Sequence, residues 1–168
     1  EHEVAIETLF AIKGRDREKS ISLFVKDVAQ ARYFAYISDK KARFLERAWP
    51  GAVTVIFEDK GKLPPLLSRD GAIGMRISAH PFIRAVFEKR SGPLAQTSAN
   101  ISGGSPAKNI TEILAYFESH EPKPDCIIDA GEIAGAPSTV INFVHDMPLI
   151  IRCGVVTKSE LDALLGRE

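Results

Sequence analysis

Four groups of residues in this chain carry side chains able to hold an anion. Lys13-Gly14-Arg15, with Arg17 and Lys19 close behind, sets a point charge beside planar forks of N–H donors, a combination that suits phosphate. The competing reading is a helix end, where cations in the last turn offset the helix dipole. Arg76 stands in the apolar run Ile73-Gly74-Met75-Arg76-Ile77, ahead of His80-Pro81. A charge there needs a partner, either an internal acid or a ligand carboxylate or phosphate, because burial alone is costly. Thr97-Ser98-Ala99-Asn100-Ile101-Ser102-Gly103 follows Pro93-Leu94-Ala95. This reads as a short buried strand emptying into a loop of small hydroxyl and amide groups, a place where α/β sheets bind ligands. Last come Gly135-Ala136-Pro137-Ser138-Thr139 and Ile151-Arg152-Cys153-Gly154, which set Ser138 at the mouth of one strand and Arg152 at the end of another. Their structural alternatives are a turn hydroxyl serving the backbone and an arginine on an exposed edge.

The residues that are missing narrow the chemistry. There is no Gly-x-x-x-x-Gly-Lys-Ser/Thr loop, no Gly-x-Gly-x-x-Gly turn, no His-Glu-x-x-His and no nucleophile elbow. Asp129 is the one acid expected near the group, in a structural role. Cations and small donors without a nucleophile or base describe a site that works by positioning and by stabilising negative charge.

These residues need a scaffold, and the rest of the chain supplies one. At 168 residues, 45% hydrophobic and 26% charged, it suits a single globular domain with a real core. Lys+Arg and Asp+Glu are equal at 22 each, so attraction to phosphate must come from a local cluster. No apolar run approaches a membrane span and no signal peptide is visible. Cys126 and Cys153 lack metal-ligand spacing and lie among apolar neighbours, which predicts reduced core or near-core thiols in a cytoplasmic protein. The four histidines form no metal pattern either.

Helical spacing over Val4 to Ile12 stops at Gly14. Ile21 to Val25 reads as a strand, and Asp27 and Ser38 as caps of helices to Tyr36 and Ala48. Trp49-Pro50-Gly51 turns the chain into a strand over Val53 to Phe57. Further strands are predicted over Ile73 to Ile77, Leu94 to Thr97, Cys126 to Asp129, Val140 to Phe143 and Leu149 to Arg152. Helices are predicted over Pro81 to Arg90, Asn109 to Glu118 and Thr157 to Leu165, the last two with capping-box signatures. Helices and strands alternate early and strands bunch late. That predicts an α/β fold, a twisted open mixed sheet with flanking helices.

In order and spacing the clusters resemble the YrdC/Sua5 family, the threonylcarbamoyl-AMP synthases of tRNA modification, in its short form. The matching segments are Lys13-x-Arg15, Trp49-Pro50-Gly51 with Thr54, Gly74-x-Arg76 with His80-Pro81, Thr97 to Gly103, Pro137-Ser138-Thr139-Val140 and Ile151-Arg152-x-Gly154. The resemblance implies a YrdC-like domain over 1–168 with a positive cavity. It implies a nucleotidyltransferase that makes L-threonylcarbamoyl-AMP and pyrophosphate from L-threonine, bicarbonate and ATP with Mg²⁺. The product serves N6-threonylcarbamoylation of tRNA adenosine 37 through a downstream threonylcarbamoyl transferase complex. By matched position, Lys13, Arg15 and Lys19 would hold ATP phosphates or the carbamate, Lys13 and Arg15 as catalytic groups. Ser98 and Asn100 would bind phosphate, and Arg152 the nucleotide. Arg76 would take the threonine carboxylate and Ser138 another part of threonine. No protein-held metal is implied.

Three departures from the family pattern are visible. The sequence starts at Glu1, inside the family's first helix, so it reads as N-terminally incomplete by about thirty residues, including a Thr-x-Thr-Val-Tyr-Gly-Leu segment. Phe24 stands where many members have His, and Ala72 where many have Thr. The alternative expectation is a non-catalytic RNA- or nucleotide-binding relative, a translation or ribosome-maturation factor that binds tRNA or double-stranded RNA. A third is a carbamoyl-adenylate site like that of hydrogenase-maturation carbamoyltransferases, whose zinc-finger and acylphosphatase-like modules have no counterpart here.

Overall fold

The structure, a computed structural model, describes residues 2–17, 20–132 and 135–166. Six strands and six α-helices alternate along it. They are α1 (His2–Lys13), β1 (Ser22–Phe24), α2 (Val28–Phe34), α3 (Asp39–Ala48), β2 (Val53–Glu58), β3 (Ala72–Arg76), α4 (Pro81–Lys89), β4 (Leu94–Gln96), α5 (Ile110–Phe117), β5 (Thr139–Asn142), β6 (Leu149–Arg152) and α6 (Lys158–Leu165). The strands form one mixed sheet in the order β4-β1-β3-β2-β5-β6. β1 runs parallel to β3 and β2 parallel to β5, and the remaining neighbours are antiparallel. The expected twisted mixed sheet with flanking helices is the architecture found.

The helix starts follow from their caps. Asp27, Ser38, Asn109 and Thr157 each accept a backbone N–H of the first turn with a side-chain oxygen, satisfying donors that a helix end leaves free. His80, read beforehand as part of a motif, uses Nδ1 to accept from Phe82 N at 3.3 Å and so caps α4.

Strand alternation divides the sheet into two unlike faces. Leu23, Val53, Val55, Phe57, Ile73, Met75 and Ile141 point to one side and are buried. There they meet Ile6 and Phe10 of α1, Ala31 and Phe34 of α2, Phe44 and Leu45 of α3 and Leu161 of α6. Phe57 and Phe143 stack at 6.5 Å, and Phe44 meets Phe143 edge-on at 5.7 Å. Fully burying one such side chain is worth about 1.5–3 kcal/mol. The intervening residues Ser22, Phe24, Arg76, Val140 and Asn142 lie on the other face and are only half-buried. That less covered face carries the site.

Three expectations are corrected. Residues 126–129 form no strand, and Ile127 and Ile128 are exposed. Pro122 and Pro124 remove donors ahead of them, and β5 already has neighbours on both sides. Cys126 and Cys153 are exposed instead of core thiols, because one lies in that irregular segment and the other just beyond edge strand β6. The strand before the Ser98 loop is not buried: β4 is the opposite edge, paired only with β1. No helix among the described residues is long and apolar enough to cross a membrane.

Candidate functional site

A cavity of about 300 Å³ opens on the less covered face of the sheet. Its floor holds Ser22 of β1, Thr54 of β2 and Arg76 of β3. Arg15, Ser98, Ser138 and Arg152 stand on its walls. Five of the eight site residues expected from sequence thus line one cavity: Arg15, Arg76, Ser98, Ser138 and Arg152. Lys13 and Asn100 lie behind its wall, and Lys19 falls outside the described residues. No acidic side chain is among the described lining residues.

Arg15 reaches the wall through the end of α1. Gly14 adopts φ +54°, its N–H bonds Ala11 O at 3.0 Å, and Arg15 N bonds Phe10 O at 3.0 Å. This is a Schellman termination, in which glycine takes the left-handed residue without steric penalty and the chain leaves sharply after it. The Arg15 guanidinium donates to Ser20 O at 2.8 Å. Arg17, from the same cluster, instead faces Glu7 at 4.0 Å on the surface.

Arg76 ends β3. Its Nε donates to Gly51 O at 2.6 Å, and the guanidinium carbon lies 5.8 Å from the centre of the Phe24 ring on the adjacent strand. Among the described residues no carboxylate pairs with it, so of the two partners expected for this charge the internal acid is not found. Trp49-Pro50-Gly51 positions the acceptor: Trp49 Nε1 bonds Val53 O at 2.7 Å and Gly51 N bonds Ile77 O at 3.0 Å. Burial lowers the pKa of both Arg15 and Arg76 below the ordinary arginine value. Guanidinium groups stay charged all the same, and the charge of an incoming anion would offset the cost of their burial.

On the far wall the Ser138 and Thr54 hydroxyls meet at 2.8 Å. Arg152 donates to Ser138 O at 2.9 Å, with the Ser138 hydroxyl at 3.4 Å. Gly154 makes this possible. A Cβ there would lie 2.1 Å from Pro137 O and 2.6 Å from Ser138 O, so only glycine lets the chain leaving β6 cross Ser138. Thr139 Oγ1 ties the crossing by donating to Val156 O at 2.5 Å and accepting from Gly154 N at 3.0 Å.

The Ser98 loop is fastened to the end of α1. Lys13 Nζ donates to Ser98 O at 2.5 Å, to Asn100 O at 2.8 Å and to Asn100 Oδ1, with Ser98 Oγ at 3.1 Å. Ser102 N bonds Lys13 O at 2.8 Å. Asn100 Nδ2 donates to Ile101 O at 2.9 Å and Gly104 O at 2.5 Å.

Thr97, from the loop nominated in the sequence, lines the cavity too, and so do Ser22 and Gln96, which were not expected. Only their place in the alternation on β1 and β4 could have exposed them, and that requires the sheet order. Asp129, expected near the site, accepts Gly131 N at 2.8 Å in an exposed turn and does not line it.

A family model for Sua5, YciO and YrdC, described as "Telomere recombination", matches residues 1–154. A Methanocaldococcus jannaschii relative is 33% identical over 161 residues, covering 95% of this chain and 74% of that protein. A Bacillus subtilis threonylcarbamoyl-AMP synthase is 28% identical over 166 residues, 96% of this chain and 47% of its own length. The crystal structure of Pyrococcus abyssi Sua5 complexed with L-threonine is similar at TM-score 0.87 and 27% identity, covering 98% of this chain and 48% of that one. This chain therefore spans about half the length of the last two. A family match over nearly all its residues, with the same fold, means that the chain belongs to the Sua5/YciO/YrdC family.

Proposed function

We propose that this domain makes L-threonylcarbamoyl-AMP from L-threonine, bicarbonate and ATP, releasing pyrophosphate, for N6-threonylcarbamoylation of tRNA. The observation that carries the reading is three guanidinium groups, Arg15, Arg76 and Arg152, around one cavity with no acidic side chain among its described lining residues.

The chemistry asks for such a site. The threonine amine adds to the carbon of bicarbonate with loss of water, giving a carbamate. A carbamate oxygen then forms a bond to the α-phosphorus of ATP as the bond to the bridging oxygen breaks and pyrophosphate leaves. Carbamate and triphosphate are both anions, so fixed cations must suppress their repulsion and stabilise the leaving charge. Arg76, held at Nε by Gly51, keeps its two terminal nitrogens for the threonine carboxylate, and Ser138 with Thr54 offers hydroxyls beside it. Arg15 and Ser98 face the phosphates, and Arg152 the nucleotide. Mg²⁺ comes with ATP as part of the substrate. Among the described residues no group of three His, Cys, Asp or Glu could hold a metal.

The test is pyrophosphate release with threonine, bicarbonate and ATP omitted in turn. Release should need all three. Arg76→Ala should raise KM for threonine roughly 10- to 100-fold, the worth of a hydrogen bond to a charged group. Unchanged threonine dependence in that variant would remove Arg76 from the threonine site.

A further inference from the structure

Lys13 is 3% exposed and Asn100 5%. The Lys13 ammonium has three N–H groups and four oxygens in reach: Ser98 O, Asn100 O, Asn100 Oδ1 and, farthest at 3.1 Å, Ser98 Oγ. The Asn100 amide is equally committed, its two N–H groups given to Ile101 O and Gly104 O. Neither residue has a donor left for the cavity. The exposed Ser98 hydroxyl does line it, and its proton now points to Asn100 Oδ1 at 2.6 Å.

We infer that Lys13 and Asn100 are positioning residues that never touch the triphosphate. They hold Ser98 so that its O–H can turn from Asn100 Oδ1 to an anion in the cavity. The count of protons supports the exchange. When the Ser98 hydroxyl turns away, the three Lys13 N–H groups still satisfy Ser98 O, Asn100 O and Asn100 Oδ1. The one acceptor given up is the longest. Moving Lys13 onto phosphate would instead leave Asn100 O without a donor and would take the ammonium from Ser98 O and Asn100 Oδ1, which would keep only Asn100 N–H and the Ser98 hydroxyl.

The kinetic arm of the test rests on ATP being the substrate, and the second arm does not. Lys13→Met should lower kcat/KM for ATP roughly 10- to 100-fold. In a Ser98→Ala background, where the positioned donor is gone, the same substitution should cost less than about threefold. Equal losses in both backgrounds would overturn the inference, since a direct phosphate contact is independent of Ser98. In the second arm, Lys13→Met should speed amide exchange at Asn100, Gly104 and Ala107, whose N–H groups bond within the loop, at least tenfold, while strand β2 is unchanged. Unaltered loop exchange would also overturn it. A wild-type chain that releases no pyrophosphate would count against the proposed reaction alone, and the exchange arm would still decide the role of Lys13. Should Lys13→Met fail to fold, Asn100→Ala with and without Ser98→Ala puts the same two questions, with the same outcomes for and against.

Discussion

Lys13 shows how far one side chain is shaped by its surroundings. Burial first, and the neighbouring Arg15 charge second, lower its pKa from 10.5 to about 8. Two opposite pH effects follow. The Ser98 loop loses its charged brace as pH rises, so kcat/KM for ATP should fall with a midpoint near pH 8, and that limb should be missing in Lys13→Met. Stability moves the other way. Between about pH 8 and 10.5 the unfolded chain holds a proton at Lys13 that the folded chain has released, so folding is favoured by raising pH. Denaturant midpoints should show wild type gaining on Lys13→Met across that window. A constant difference would mean the ammonium is not desolvated. In the sequence Lys13 and Arg15 read as one clamp. The glycine between them separates their tasks, leaving Lys13 inside as the last helical residue and turning Arg15 to the cavity. Residue type and spacing alone could not divide them, because both readings need a cation at a helix end.

At the level of elements, the cavity depends on two crossings that only glycine permits. A Cβ at Gly154 would enter the Pro137 carbonyl, and one at Gly51 would come within 2.4 Å of Ala48 O. Gly154→Ala should destabilise the fold by roughly 1–3 kcal/mol, the usual range for overpacking. It should also impair both ATP and threonine use, since Arg152, assigned to the nucleotide, and Ser138, assigned to threonine, move together. Urea unfolding and separate KM values check this, and unaltered stability would mean the crossing is looser than described. Most elements were legible in the sequence because caps and hydrophobic periods are local. Asp27, Ser38, Asn109 and Thr157 marked their helices directly. The failures share one cause, which is sheet position. Cys126-Ile127-Ile128 has the composition of a strand and no neighbour to pair with. Leu94-Ala95 has the composition of a buried strand and sits at an edge. Which strand is central depends on contacts between residues far apart in the chain. For the same reason Arg15, Arg76, Ser98, Ser138 and Arg152 could be nominated one at a time, while their meeting around one cavity and the help of Ser22 and Gln96 became visible only with the strand order β4-β1-β3-β2-β5-β6.

Taken whole, the molecule has no net charge, and of its 22 lysines and arginines three arginines line one small cavity among the described residues. Duplex RNA needs a broader positive face. A titration of double-stranded RNA against salt should therefore give weak binding with a log–log slope no steeper than about 3, near one released counterion per neutralised phosphate. A much steeper slope would point to a second basic surface and favour RNA binding as a primary role. The fastening of α1 to the Ser98 loop also sets an order of events in folding. Lys13 and its acceptors are 85 and 87 residues apart in sequence. During synthesis α1 emerges long before residue 100, and until then docking its last turn would bury a charge with nothing to receive it. A helix made well before the loop is thus fixed in place only after it. A ribosome halted before the loop has emerged carries an α1 whose end remains in water, and because Ser138 and Arg152 follow later still, the arginine-lined cavity is absent from every shorter nascent chain.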